Sequence, residues 1–262
     1  MDKTTQYLTK VCDLWTLHVN LGIEYNTGIN LGIDDQTAEL LTCMEENILG
    51  TGGSSYGYDH NNQDETKVSC WVQPKKCCDC SKKIHFFSKS CVCGSKNFEF
   101  INDSRWGIDT QAHFLYKVQN YHLWVFEPET YDSDVKTFSL KRFLISSENK
   151  FFNDILKVQL NSGKTKNKNF IPYSADFFVS NPKMLSNFKI HKDENFGFIV
   201  ERQNNEEILF TNEIIKKIKP YLKNDFKKNK DTYHYNELVD YLDIFAKKTS
   251  HGKERGKTSR RI

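Results

Sequence analysis

No run in the 262-residue chain approaches the ~18 apolar residues of a membrane span, which excludes a helical integral membrane protein. The first residues, MDKTTQYLTK, lack the apolar stretch of a signal peptide, so the expected compartment is cytoplasmic. No internal repeat is found. Proline and alanine are scarce, whereas Asn, Lys, Ile and Phe are abundant. That bias suits an AT-rich bacterial genome and says nothing about mechanism.

Aromatic residues make up 13% of the chain, enough to build a core despite a mean hydropathy of −0.65. The length fits one large domain or a core with appended modules. Charge is unevenly divided. Residues 1–140 carry 12 Lys/Arg against 19 Asp/Glu, net −7, and residues 141–262 carry 25 against 15, net +10. A basic half facing phosphates and an acidic half holding a metal would explain this, as would solvated lysine-rich helices. Eight cysteines without a secretion signal argue against a disulfide framework. Five of them, Cys77, Cys78, Cys80, Cys91 and Cys93, lie in one short segment, which points to a metal.

Hydrophobic periodicity orders the rest. Residues 4–20 place Leu8, Val11, Leu14, Trp15 and Val19 at helical spacing. A second helix, capped by Asp34 or Asp35, should run to about Ile48 with Leu40, Leu41, Met44 and Ile48 on its buried face. Glu65–Val72 alternates as a strand, with Thr66, Val68, Cys70 and Val72 on its apolar face. Tyr121–Phe126 and Thr137–Ile145 read as strands, Ser147–Asn161 as a helix, and Phe170 onward as a strand and loop. Phe188–Ile190 and Phe196–Glu201 can pair as a hairpin. Helices near 205–224 and 232–248 and a mobile basic tail close the chain.

Asp59, Glu65 and Lys67 form the most informative cluster. Glu65 and Lys67 are two apart and share one face of a strand, and a short Asn-rich turn separates them from Asp59. Two carboxylates and an ammonium on one spot can hold a hard divalent cation beside an attacked phosphate. The bland alternative is a polar turn followed by a solvated strand start. Acid-x-Lys also occurs at Asp134/Lys136, Glu148/Lys150 and Asp225/Lys227. Only the first has a Gly/Ser-rich lead-in ending in an aspartate and a one-sided apolar strand. Asp134/Lys136, with Asp109 as distant partner, is the runner-up.

This order of Asp, then Glu-x-Lys, then an apolar run resembles the PD-(D/E)xK nuclease core of type II restriction endonucleases, over roughly residues 45–127. Tyr58 stands where that family has proline. The resemblance implies an α/β (α+β) fold, a central mixed sheet flanked by helices, to which the cysteine segment would add a small four-cysteine zinc knuckle as an insertion. It implies Mg²⁺-dependent hydrolysis of double-stranded DNA at a short sequence, a homodimer, and a cognate DNA methyltransferase in the same cell. By position Asp59 and Glu65 would ligate Mg²⁺ and Lys67 would orient or deprotonate the attacking water. Glu45 or Glu46 is a candidate for the extra helix glutamate of some related nucleases; an exposed acidic turn is the other reading.

Two close cysteine pairs around a ten-residue loop suit tetrahedral Zn²⁺ on a double knuckle. The most regular ligand set is Cys77, Cys80, Cys91 and Cys93, with Cys78 as an alternative in the first pair; free cysteines or a Cys77/Cys78 redox pair are the competing readings. His85 in the intervening loop could touch DNA backbone or pack the ribbon. In the segment 103–113, Arg105, Asp109, Gln111 and His113 could read DNA or support the metal ligands, with Arg105, Gln111 and His113 as the candidate DNA-reading groups, although Arg105 and Asp109 could equally form a buried salt bridge that fixes the ribbon to the core. Asp176 reads as a helix or loop cap, with a late polar contribution to the site as the other reading. The expected organisation is residues 1–76 for the N-terminal helices and catalytic hairpin and 77–100 for the ribbon. Residues 101–202 hold the rest of the sheet and DNA-contacting elements, 203–248 the C-terminal helices and 249–262 the tail. A non-catalytic zinc-ribbon DNA-binding protein and a structure-specific repair or resolvase nuclease are the alternatives to a restriction enzyme.

Overall fold

A computed structural model describes residues 1–25, 27, 31–51, 58–100, 118–148 and 183–205, with the backbone of 106–107 and 170–171. Helix α1 spans Lys3–Glu24 and α2 spans Asp35–Glu46. Both begin on an aspartate that takes up an orphan amide. Asp2 accepts from the Thr5 N–H at 2.9 Å and Asp34 from the Thr37 N–H at 2.7 Å. Asn47, in the left-handed region at φ 53°, ends α2. The buried stripe of α1 is Leu8, Cys12, Trp15 and Val19, a single 3.6-residue line. Leu14, expected on that face, lies off the line and is exposed. In α2 the buried face is Ala38, Leu41 and Thr42, and Leu40 is exposed. Thr42 can be buried because its hydroxyl donates to the Ala38 carbonyl and accepts from Trp124 Nε1.

The strands in chain order are β1 Glu65–Cys70, β2 Lys75–Cys77, β3 Lys83–Ile84, β4 Phe98–Glu99 and β5 Trp106–Gly107. They continue with β6 Asn120–Pro128, β7 Thr137–Ser146, β8 Phe170–Ile171, β9 Lys183–Lys192 and β10 Phe198–Arg202. The main sheet is mixed, in the order β1-β6-β7-β9-β10. β1 runs parallel to β6, and the other neighbours are antiparallel. The fold is therefore α+β around a five-stranded mixed sheet. The expected β9–β10 hairpin and the two long strands β6 and β7 are present.

One sheet face carries Val68, Trp124, Phe126, Phe138, Leu140, Phe188, Ile190, Phe198 and Val200, packed with Leu8, Trp15, Val19 and Leu41 of the helices. Trp15 meets Phe126 at 5.0 Å between ring centroids, and Phe126 stacks on Phe138 at 5.5 Å. Burying each such side chain contributes roughly 1.5–3 kcal/mol. The opposite face buries Tyr121, Leu123, Val125, Phe143, Ile145 and Met184 as well. Burial on both faces is why β6 reads as an almost unbroken apolar run.

β2 lies between β3 and β4 in a small three-stranded sheet. This ribbon docks on the main core through Phe86 and Phe87. His85 is buried, so its packing role is the one realised. A Cβ added to Gly22 of α1 would come within 2.7 Å of His85 Cδ2, so the helix and ribbon approach at a position only glycine fits. Lys75 is fully buried, donating to the Ser88 carbonyl and Ser133 Oγ and lying 4.2 Å from the Phe98 ring centroid. Arg105, Asp109, Gln111, His113, Asp176, Asp225 and Lys227 lie outside the described residues. So do residues 149–161 of the expected helix, both C-terminal helices and the tail.

Candidate functional site

The chain leaving α2 folds back on itself before β1. Gly50 bridges His60, and the Thr51 N–H donates to the Asp59 carbonyl at 2.9 Å. The Asp59 and His60 amides both donate to the Asp64 carbonyl, and Gln63 sits in the left-handed region at φ 66°. This turn returns Asp59 to the edge of β1, where its Oδ2 accepts the Thr66 N–H at 2.7 Å. β1 is an outer strand of the sheet, so its edge amide is free for such a contact.

Glu65 and Lys67 project from the face opposite Thr66, and their side chains form an ion pair. Asp59, Glu65 and Lys67 therefore converge at the start of β1. Glu39 of α2 lies within electrostatic reach of them: burial raises its pKa most, Asp59 raises it further and Lys67 lowers it. Burial pushes the Glu65 carboxyl up to about 7 against the pull of Lys67, with repulsion from Asp59 and Glu39 added. Negative potential thus accumulates at a half-buried spot that holds one ammonium. The donor set is all oxygen and suits a hard cation. Its three carboxylates are spread more widely than the cysteine cluster, whose ligand atoms all fall within 4.8 Å.

Glu45 and Glu46 are engaged elsewhere. Glu45 Oε2 accepts from Ser186 Oγ at 2.6 Å and from Arg202 NH1 at 3.1 Å, and Glu46 pairs with Arg142 at 2.5 Å. Glu39 and Glu46 lie on one helical stripe two turns, about 10 Å, apart. The helix crosses the sheet, so the early turn meets β1 and the late turn meets β7. Glu39 was not singled out by sequence reasoning. Its spacing from Glu46 was the available signal, but choosing the turn requires knowing where the following loop folds back.

A buried polar layer supports this edge from the helix side. Thr66 Oγ1 donates to Thr42 Oγ1 at 3.1 Å, and His60 Nε2 lies 2.7 Å from Thr66 Oγ1. His60 Nδ1 is 3.4 Å from Cys43 Sγ. Burial lowers the His60 pKa, and burial raises that of Cys43. The pair is therefore an uncharged imidazole beside a protonated thiol, poor for nucleophilic chemistry. Asp64 is held below the usual carboxylate range because hydrogen bonds from His122 and Asn120 outweigh the opposing cost of burial. His122 Nε2 lies 3.0 Å from Asp64 Oδ2.

The cysteines resolve into one cluster. The sulfurs of Cys77, Cys80, Cys91 and Cys93 lie within 4.8 Å of one another, with Cys77 to Cys93 at 3.6 Å and Cys80 to Cys91 at 3.4 Å. A tetrahedron with Zn–S bonds of ~2.3 Å has sulfurs about 3.8 Å apart. These four side chains could hold a metal such as zinc. Cys78 is exposed and stands outside the cluster. Two turns build it: Ser81 at φ 61° follows the first pair and Gly94 at φ 85° the second. Backbone amides of Cys80 and then Asp79 draw the Cys77 thiol down to about 6. Cys80 rises to about 12 because burial and hydrogen bonds with Cys91, Cys93 and Cys77 outweigh the Lys82 amide. Four thiolates cannot coexist there without a cation, which is what a metal provides.

The competing acid-x-Lys pairs make no comparable constellation among the described residues. Asp134 and Lys136 are exposed, and Asp134 reaches Lys89 at 3.4 Å. Glu148 is exposed. No helix among the described residues is long and apolar enough to cross a membrane. Comparison with protein-family models, curated proteins and solved structures finds no match to this chain.

Proposed function

We propose that the protein is a Mg²⁺-dependent endonuclease acting on double-stranded DNA, with its active site at the start of β1. The observation that carries this reading is the convergence of Asp59, Glu65 and Lys67 on one strand edge. Glu39 from α2 supplies a third carboxylate that the sequence pattern did not single out. Mg²⁺ takes one or two carboxylates and keeps several waters, so Asp59 and Glu65 suffice to hold it and Glu39 can take a bridging water. The ion would acidify a bound water and offset charge on the attacked phosphate. Lys67, now paired with Glu65, would orient that water and stabilise charge on the phosphoryl oxygens. Thr66 fixes Asp59 through its amide, and Thr42 and His60 fix Thr66.

Zinc on Cys77, Cys80, Cys91 and Cys93 is assigned a structural role, since four thiolates leave no open position for substrate. The resemblance to type II restriction endonucleases extends the proposal to cleavage at a short sequence, a cytoplasmic homodimer and a partner methyltransferase in the cell. Plasmid DNA incubated with and without Mg²⁺ tests the core of it. Discrete, chelator-sensitive fragments are expected, their sequenced ends giving site and stagger. Asp59→Ala and Lys67→Ala should each lower cleavage by roughly 10²-fold or more with folding and DNA binding retained, and Glu39→Gln by less. Full activity in either alanine variant removes this edge from the mechanism. A salt-dependent gel shift with no cleavage gives a non-catalytic zinc-ribbon DNA-binding protein instead, and cutting confined to junctions or lesions gives a repair nuclease.

A further inference from the structure

The ribbon is a basic island in an acidic half. Residues 1–74 contain three Lys/Arg and eleven Asp/Glu, whereas residues 75–96 contain six lysines and a single acid, Asp79. Lys75 is consumed internally, buried against Ser88, Ser133 and the Phe98 ring. Lys76, Lys82, Lys83, Lys89 and Lys96 are all exposed. Lys76 and Lys83 stand directly opposite each other across the β2–β3 pair, on the outward side of the small sheet. Like charges in that relation destabilise a sheet, and Glu99, across from Lys76 on β4, is the one acid placed to relieve them within the sheet. Lys82 and Lys96 belong to the two loops that carry the cysteines. Among the described residues no ion pair engages Lys76, Lys82, Lys83 or Lys96, and Lys89 alone reaches an acid, Asp134.

We infer that the exposed face of the ribbon, through Lys76, Lys82, Lys83 and Lys96, is a docking surface for the phosphate backbone of duplex DNA. The inference deepens the nuclease reading and rests on it for the choice of DNA as the polyanion. The Lys76 and Lys83 pair across β2 and β3, with Lys82 and Lys96 in the cysteine-bearing loops beside them, offers several unpaired ammonium groups to phosphates. They position a duplex without reading its sequence. The rest of residues 1–100 is acidic and would repel the same duplex, so the ribbon supplies the attraction that offsets this. His85, Phe86 and Phe87 anchor the ribbon in the core, so a duplex held there has a fixed relation to the β1 edge.

Binding of a fluorescein-labelled duplex is measured by anisotropy in divalent-free buffer over a range of salt, which separates binding from cleavage. The triple variant Lys76→Ala/Lys82→Ala/Lys83→Ala should bind roughly tenfold or more weakly near ~0.1 M salt. Its slope of log affinity against log salt should be shallower by about 2–3, since each phosphate contact contributes about 0.9. The corresponding triple arginine variant, which keeps the charge, should bind as the wild type does. Unchanged affinity and slope in the alanine variant would overturn the inference, as would equal weakening in the arginine variant. Stronger binding of single-stranded RNA than of duplex DNA by the wild type would overturn the choice of partner. The two proposals fail separately. A chain that cleaves normally with the triple alanine substitution loses this surface and keeps the nuclease, and one that binds through the lysines without cleaving keeps the surface and loses the nuclease.

Discussion

Glu65 has been moved from water to a half-buried position beside two other carboxylates, and the one ammonium there does not fully offset that. A glutamate ordinarily titrates near 4.5, while Glu65 in the folded chain titrates at about 7. Between these values the folded chain holds a proton that the unfolded chain has lost. Stability from this group is therefore complete below about 4.5 and is lost as pH rises towards about 7. Glu65→Gln should flatten that slope and leave the variant more stable than wild type near pH ~8, by on the order of 2 kcal/mol. Urea midpoints recorded across this pH range measure it. If the wild-type slope persists in the variant, the proton is held elsewhere.

At the level of elements, the cysteine ribbon makes the sharpest prediction. Cys78→Ser should retain a full complement of bound metal, because Cys78 is exposed and outside the cluster. Cys80→Ser should lose the metal and loosen the contact of Ile84 and Phe98 with Cys77 and Cys91. Elemental analysis of the two purified variants separates them, and equal zinc content would refute the assignment. Sequence spacing left Cys77 and Cys78 as rivals, since either forms a short pair with Cys80. The positive φ at Ser81 and the amides aimed at the Cys77 sulfur decide between them. The alternation of β1 and the apolar runs of β6 and β7 were legible because period and burial are local properties. The parallel pairing of Glu65 with Tyr121 was not, because the whole ribbon intervenes and nothing local encodes a partner that distant. The same limit hid Glu39. A helical stripe presents acids at both ends, and only the fold-back at Gly50 and His60 selects the end that meets β1.

Across the whole molecule, one polar line, buried from Asp64 to Ser186 and exposed where Arg202 meets Asp2, ties residues near the two ends of the sheet together. Asp64 holds His122, and Arg142 NH1 lies 3.4 Å from His122 Nδ1. Arg142 Nε donates to Ser186 Oγ at 3.1 Å, Ser186 donates to Glu45, and Arg202 joins Glu45 to Asp2. The line crosses β6, β7, β9 and β10 and clamps α2 over the sheet, which sets where Glu39 falls relative to β1. Arg142 is its keystone, only 2% exposed, with its pKa lowered by burial despite the pull of Glu46. Removing one member of a buried charged set leaves the others unpaired, so Arg142→Ala should cost about 3–5 kcal/mol. Arg142→Lys should recover little, because a single ammonium cannot serve Ser186, Glu46 and His122 through a planar fork. Chemical denaturation reports both. A wild-type midpoint in Arg142→Lys would mean that charge alone, without the fork, holds α2 in place, and the geometry at the β1 edge would then need another explanation.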